Sequence, residues 1–229
     1  MAVMLHKRVI RLGVFDLDGV LLDFIKMFPK YCEVAAERAG FPVEPLRQHF
    51  SEIFSGIRDP AGDAMSGARR VWPTHSDEAH RRYVAYMREE ERRSSYPLIP
   101  GSIALLEWLR GQDVLLALCT NNDVHTLAHR LETSGLLGWF SAMNTTDHEY
   151  YKPHPRALLR MVEEMGLSPA ETFYVGDQPT DVLTAQAADI PFFAVRSGGV
   201  PQATFVRHGV PVERILEDID SLRVHIEVL

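Results

Sequence analysis

Short, nearly continuous apolar runs alternate along this chain with longer stretches of helical period. The runs at 9–15, 114–119, 140–143, 172–175 and 192–195 predict strands, and 124–133, 155–165 and 179–188 predict helices between the last four. Strands that read as unbroken apolar segments are buried on both faces, and helices between them make right-handed crossovers. The pattern predicts an α/β protein with a Rossmann-like, doubly wound parallel sheet.

The first gap breaks this rhythm. Residues 22–97, about 75 positions, contain no convincing strand and exceed what a crossover needs. Within them, 28–38 carries a helical stripe of Tyr31, Val34, Ala35 and Ala39, while 45–54 and 77–93 give two more helices. The last holds five acids and five arginines, with Asp77 facing Arg81, Glu78 facing Arg82 and Glu89 facing Arg93 at four-residue spacing, as on a solvated face. Pro60, Gly62, Gly67 and Pro73 make 55–74 the least regular part. The expected organisation is a core of 1–21 with 98–229 and an inserted α-helical domain over 22–97.

Composition narrows the function. The chain has 229 residues, 46% hydrophobic and 24% charged, with a net charge of −7, which argues against nucleic acid as a partner. Cys32 and Cys119 lie far apart, suggesting neither a disulfide framework nor a zinc site. Lys7, Arg8 and Arg11 interrupt the first apolar stretch, and no window approaches ~18 uncharged apolar residues, so no membrane partner is expected. The expectation is a soluble, cytoplasmic monomer or homodimer.

Chemistry gathers where the predicted strands end. VFDLDGVLLD places Asp16 and Asp18 one residue apart after the first strand, Thr120, Asn121 and Asn122 follow the second, and YYKPHP supplies Lys152 after the third. GDQPTD brings Asp177 and Asp181 to the end of the fourth. Ligands of open parallel sheets bind at the carboxyl ends of the strands, so these residues converge. Several carboxylates sharing a cleft need a cation to offset their repulsion, and a hard ion such as Mg2+ takes oxygen ligands and a phosphate oxygen. Lys152 and the Thr120 hydroxyl would then neutralise and hold phosphate. The set fits phosphoryl transfer, and an acid could be its covalent nucleophile. Spacing alone leaves open which of Asp16 and Asp18 attacks.

The order DxDGV, Thr120, KPHP and GDQPTD resembles the four motifs of the haloacid dehalogenase superfamily, in its phosphatase and phosphomutase branch. True dehalogenases lack the second acid, and the insert resembles the helical cap of phosphoglycolate phosphatases, beta-phosphoglucomutases and phosphonate hydrolases. The resemblance implies that Asp16 is the nucleophile and Asp18 the general acid and base. It implies a Mg2+ held by Asp16, Asp177 and the Asp18 carbonyl with Asp181 in support, and phosphate held by Thr120, Asn121 and Lys152. Val20 and Phe24 depart from commoner residues of the branch. A small phosphorylated metabolite, phosphoglycolate first, is the implied substrate. A sugar-phosphate mutase is the rival, and an inactive relative acting as an interaction protein is the non-enzyme alternative. In the insert, Arg58 is the candidate for a substrate carboxylate, ahead of Lys26 and Arg69. A receiver domain also uses acids, Thr and Lys around Mg2+, but on separate strands and in a far shorter chain.

Overall fold

The apolar run at 9–15 does not form one strand. In a computed structural model, which describes residues 3–5, 8–54 and 64–228, it splits at Arg11. The first three strands are β1 (Val3–Leu5), β2 (Arg8–Ile10) and β3 (Leu12–Phe15). Arg11 is exposed and pairs with Glu171 at 3.4 Å, and its backbone N–H donates to the Glu171 carbonyl at 2.9 Å. A long cation needs water for its head group, so the chain turns outward there.

Four helices follow: α1 (Phe24–Ala39), α2 (Glu44–Phe54), α3 (Ala64–Val71) and α4 (Asp77–Arg93). Next come α5 (Ser102–Gly111), which the periodicity reading does not include, β4 (Leu115–Cys119), α6 (Val124–Ser134) and β5 (Ala142–Asn144). The chain continues through α7 (Arg156–Glu164), β6 (Thr172–Gly176), α8 (Pro179–Ala187) and β7 (Phe192–Val195). It closes with α9 (Gln202–Arg207), β8 (Ile215–Leu216) and β9 (Glu227–Val228).

The main sheet has six strands in the order β5-β4-β3-β6-β7-β8, every neighbouring pair parallel. Strands β3, β6 and β7 are buried at every residue, as a sheet covered on both faces requires. Alternate residues take opposite faces. On one face Leu12, Val14, Ala117, Cys119, Tyr174, Phe192 and Ala194 pack with residues of α7, α8 and α9. On the other, Phe173 stands edge-on to Phe15 and Phe193, at 5.8 and 6.4 Å between ring centres. A separate antiparallel sheet, β2-β1-β9, holds the remaining strands.

The chain divides into two compact units, Met1–Asp23 with Tyr96–Leu229, and Phe24–Ser95. The second is helical and has its own core of Cys32, Ala35, Ala36, Phe41, Leu46, Trp72, Tyr83, Val84 and Met87. Inside it, Trp72 Nε1 donates to the Pro42 carbonyl and His80 Nε2 meets the Trp72 carbonyl, both at 3.0 Å. Ser76 caps α4 by accepting from Ala79 N at 3.3 Å. Two predicted surface pairs differ. Asp77 takes a bidentate contact from Arg69 of α3 instead of Arg81, and Glu78 pairs with Arg81 instead of Arg82. Spacings of three and four residues are both in reach on a helix, and a neighbouring helix offers partners that spacing omits. Glu89 pairs with Arg93 as predicted. The two cysteines are buried and free, one in each unit, and burial pushes both thiols up to about 12. They are inert packing residues.

Candidate active site

Register fixes the first three groups of the site. Phe15 of β3 lies level with Leu118 of β4 on one side and Val175 of β6 on the other. Asp16 follows one residue past that level, and Thr120 and Asp177 two residues past it, so the three emerge together at the carboxyl edge. Lys152 reaches them from the loop after β5, and Asp181 from the first turn of α8. All five are buried.

Lys152 Nζ stands 2.9 Å from Asp16 Oδ2 and donates to Asp181 Oδ1 at 2.7 Å. Asp16 Oδ1 accepts from the Leu17 N–H at 2.7 Å. Both Asp181 oxygens are occupied: Oδ1 also accepts from the Tyr174 hydroxyl at 2.7 Å, and Oδ2 from the N–H groups of Asp177 and Gln178 at 3.0 and 2.9 Å. Asp181 thus fixes Lys152 on one side and the Asp177 backbone on the other. Asp177 Oδ2 accepts from Gln178 Nε2 at 2.6 Å, while its Oδ1 is buried with no hydrogen-bond partner. Two glycines close on this carboxylate. A Cβ on Gly19, whose φ is +80°, or on Gly198 would overlap the Asp177 side chain. Gly19 also accepts from Ser197 Oγ at 2.5 Å, which ties the turn after Asp18 to the loop after β7.

Thr120 Oγ1 accepts from Asn122 N at 3.2 Å and Asn122 Nδ2 at 2.9 Å, leaving its own proton for an anion. Asn121 Nδ2 donates to the Lys152 carbonyl at 3.1 Å and joins the two loops. Asp18 has its own charged partner, Arg130, and shares Asn122 with Thr120. Its Oδ2 accepts from Asn122 Nδ2 at 2.7 Å and from Arg130 Nη1, and its Oδ1 is buried without a partner.

Charge is unbalanced here. Among the described residues three carboxylates, Asp16, Asp177 and Asp181, cluster around the Lys152 ammonium, which pairs with Asp16 and Asp181, and one oxygen from each acid lies within 4.8 Å of the others. Burial pushes Asp16 up to about 6, with Lys152 pulling down and Asp181 pushing up. Burial, followed by repulsion from Asp16 and Asp181, holds Asp177 well above the ordinary carboxylate range. Burial works against the Lys152 ammonium, but Asp16 and Asp181 outweigh it and raise its pKa.

A family model for haloacid dehalogenase-like hydrolases matches residues 14–195, from β3 to the end of β7. This chain belongs to the haloacid dehalogenase-like hydrolase family. It is 29% identical over 224 residues to Phosphoglycolate phosphatase 1 of Pseudomonas aeruginosa, covering 94% of this chain and 78% of that protein. The structure of a haloacid dehalogenase-superfamily hydrolase, subfamily IA variant 1, from Geobacter sulfurreducens superposes with a TM-score of 0.69 at 26% identity, covering 94% of this chain and 95% of the other. A provisionally named beta-phosphoglucomutase from Thermotoga maritima gives 0.72 at 21%, covering 94% and 98%, a likeness of fold alone.

In this hydrolase the donors suit a hard cation. They are all oxygens, they carry more negative charge than Lys152 offsets, and the orphaned Asp177 Oδ1 lacks the partner that a buried polar atom requires. Asp16 and Asp177 would be its side-chain ligands, with Asp181 supporting them.

Arg58 lies outside the described residues. In the helical unit, Lys26 is exposed and Arg69 is engaged with Asp77. His154, within the KPHP motif, accepts from Arg156 N at 3.2 Å. Among the described residues no helix is long and apolar enough to cross a membrane. Two residues at the site escape the sequence reading. Tyr174 sits inside an apolar strand and reads as core, and Arg130 is a lone cation in the α6 stripe of Leu127 and Leu131.

Proposed function

We propose that this hydrolase is a Mg2+-dependent phosphatase of small phosphorylated metabolites, acting through an aspartyl-phosphate on Asp16, with phosphoglycolate as its first candidate substrate. One observation carries the reading. Asp16 is buried against the Lys152 ammonium in a cluster with Asp177 and Asp181, while the second acid, Asp18, pairs with Arg130 and Asn122. A nucleophile and a proton carrier need those separate environments.

Asp16 attacks the phosphorus as the bond to the leaving oxygen breaks, and Asp18 gives that oxygen its proton. Lys152 and the Thr120 hydroxyl neutralise and orient the phosphoryl oxygens. Water then attacks the aspartyl-phosphate, Asp18 takes the proton, and Asp16 is freed with inorganic phosphate. A bound Mg2+ would supply charge neutralisation for the carboxylates and the phosphoryl group. We assign the choice of leaving group to the helical unit, as a cap. The P. aeruginosa relative supports phosphoglycolate.

The test is phosphate release from a panel of phosphomonoesters with Mg2+ or with EDTA. The reading expects release in Mg2+ and none in EDTA. No release from any ester in Mg2+ refutes it. A hexose 1-phosphate isomerised without phosphate release would establish the mutase instead.

A further inference from the structure

Arg130 is only 1% exposed, a state that an arginine rarely takes unless paired. Leu127 and Leu131 bury on the same side of α6, and an apolar residue at 130 would simply complete their stripe. What the guanidinium gains there is a network around Asp18. Nη1 donates to Asp18 Oδ2 and, at 3.1 Å, to Asn122 Oδ1. Asn122 Nδ2 in turn reaches Asp18 Oδ2 at 2.7 Å and Thr120 Oγ1 at 2.9 Å. The Tyr96 ring lies against the guanidinium, with its centre 4.6 Å from Cζ.

The result is asymmetric. One oxygen of Asp18 has two donors, and the other, Oδ1, is buried with none. A carboxyl that turns about its terminal bond offers either oxygen, whereas one pinned at Oδ2 always offers the same one. We infer that Arg130, with Asn122, is a positioning residue for Asp18, pinning Oδ2 so that Oδ1 carries the proton to the leaving oxygen. The inference rests on the general-acid reading of Asp18 given above. As the phosphorus–oxygen bond breaks, the Oδ1 proton passes to the leaving oxygen, and the carboxylate left behind stays paired with Arg130. Oδ1 then takes a proton from the attacking water.

The value of such positioning depends on the leaving group. An aryl ester such as p-nitrophenyl phosphate departs as a stable anion and hardly needs the proton, whereas an alkyl ester such as β-glycerophosphate does. The experiment measures kcat/KM, which reports transfer to Asp16, for both esters in Mg2+, together with inhibition by inorganic phosphate. It uses wild type, Asp18→Asn, Arg130→Met, Arg130→Lys and Asn122→Ala. Asp18→Asn and Arg130→Met are expected to lose about 100-fold or more on the alkyl ester and about tenfold or less on the aryl ester. The Ki of phosphate should move by less than about threefold in both, since neither is placed on the phosphoryl group. Arg130→Lys should recover at least about tenfold of the alkyl loss, and Asn122→Ala should show a weaker split of the same kind.

Equal losses on both esters in Arg130→Met, or a loss confined to the Ki of phosphate, overturn the inference when Asp18→Asn shows the split. Should Arg130→Met not fold, Arg130→Lys and Asn122→Ala decide by the same ratio. An Asp18→Asn protein without the split refutes the general-acid reading and the inference with it, while a wild type inert toward both esters refutes the phosphatase.

Discussion

Replacing Asp16 should make this protein more stable when no divalent cation is present. Burial raises the Asp16 carboxyl from 3.8 to about 6, with Lys152 opposing and Asp181 adding to the shift. Between those values the folded chain binds a proton that the unfolded chain has released. Stability therefore falls as pH rises through this window, and the loss persists above it. Roughly two pKa units correspond to about 3 kcal/mol. Asp177 is shifted in the same direction, and part of its shift comes from Asp16 itself, so removing that charge relieves both. Asparagine has nearly the shape of the protonated acid and cannot ionise. In EDTA, Asp16→Asn and wild type should differ little near pH 4, and the gap should widen by about 3 kcal/mol by pH 7.5. In a chain of 229 residues that is roughly 6–12 °C in Tm, within reach of calorimetry. Saturating Mg2+ should raise the wild type at pH 7.5 and close most of the gap. A gap of the same size at both pH values would refute the account of Asp16, and an equal Mg2+ effect on both proteins would refute its place beside a cation.

Two further substitutions probe the surroundings of Asp16. Lys152→Met removes the ammonium shared by Asp16 and Asp181, and should cost about 3–5 kcal/mol in thermal melts at pH 7.5 in EDTA, because two buried carboxylates lose that cation. Gly198→Ala puts a methyl group where the Asp177 carboxylate lies, and should weaken Mg2+ binding about tenfold or more by calorimetric titration. Gly111→Ala, where a Cβ meets open space, is the control and should bind normally.

Much of this site can be read from the chain because its parts follow strands that are themselves legible. Unbroken apolar runs mark β3, β4, β6 and β7, and a parallel sheet brings whatever follows them to one edge. Other features depend on what a segment meets in space. Arg130 and Asp18 are 112 residues apart, and a lone arginine beside Leu127 and Leu131 reads as a cation whose head group escapes to water. The Tyr174 hydroxyl becomes visible only once Asp181 folds back beneath it. Strands β1, β2 and β9, of two or three residues each, are too short to show a period, and Arg11 divides a run that looks continuous. On α4 the choice of Arg69 by Asp77 required knowing that α3 lies alongside.

The central claim is that Asp16 carries the phosphoryl group. Mixing enzyme, Mg2+ and a phosphomonoester for less than one turnover, quenching in acid and sequencing the peptides by mass spectrometry tests it directly. The account predicts one added phosphoryl group on the peptide containing VFDLDG, located at Asp16 and missing from Asp16→Asn. Phosphate released by the wild type with the adduct at another residue, or undiminished release by Asp16→Asn, would contradict it.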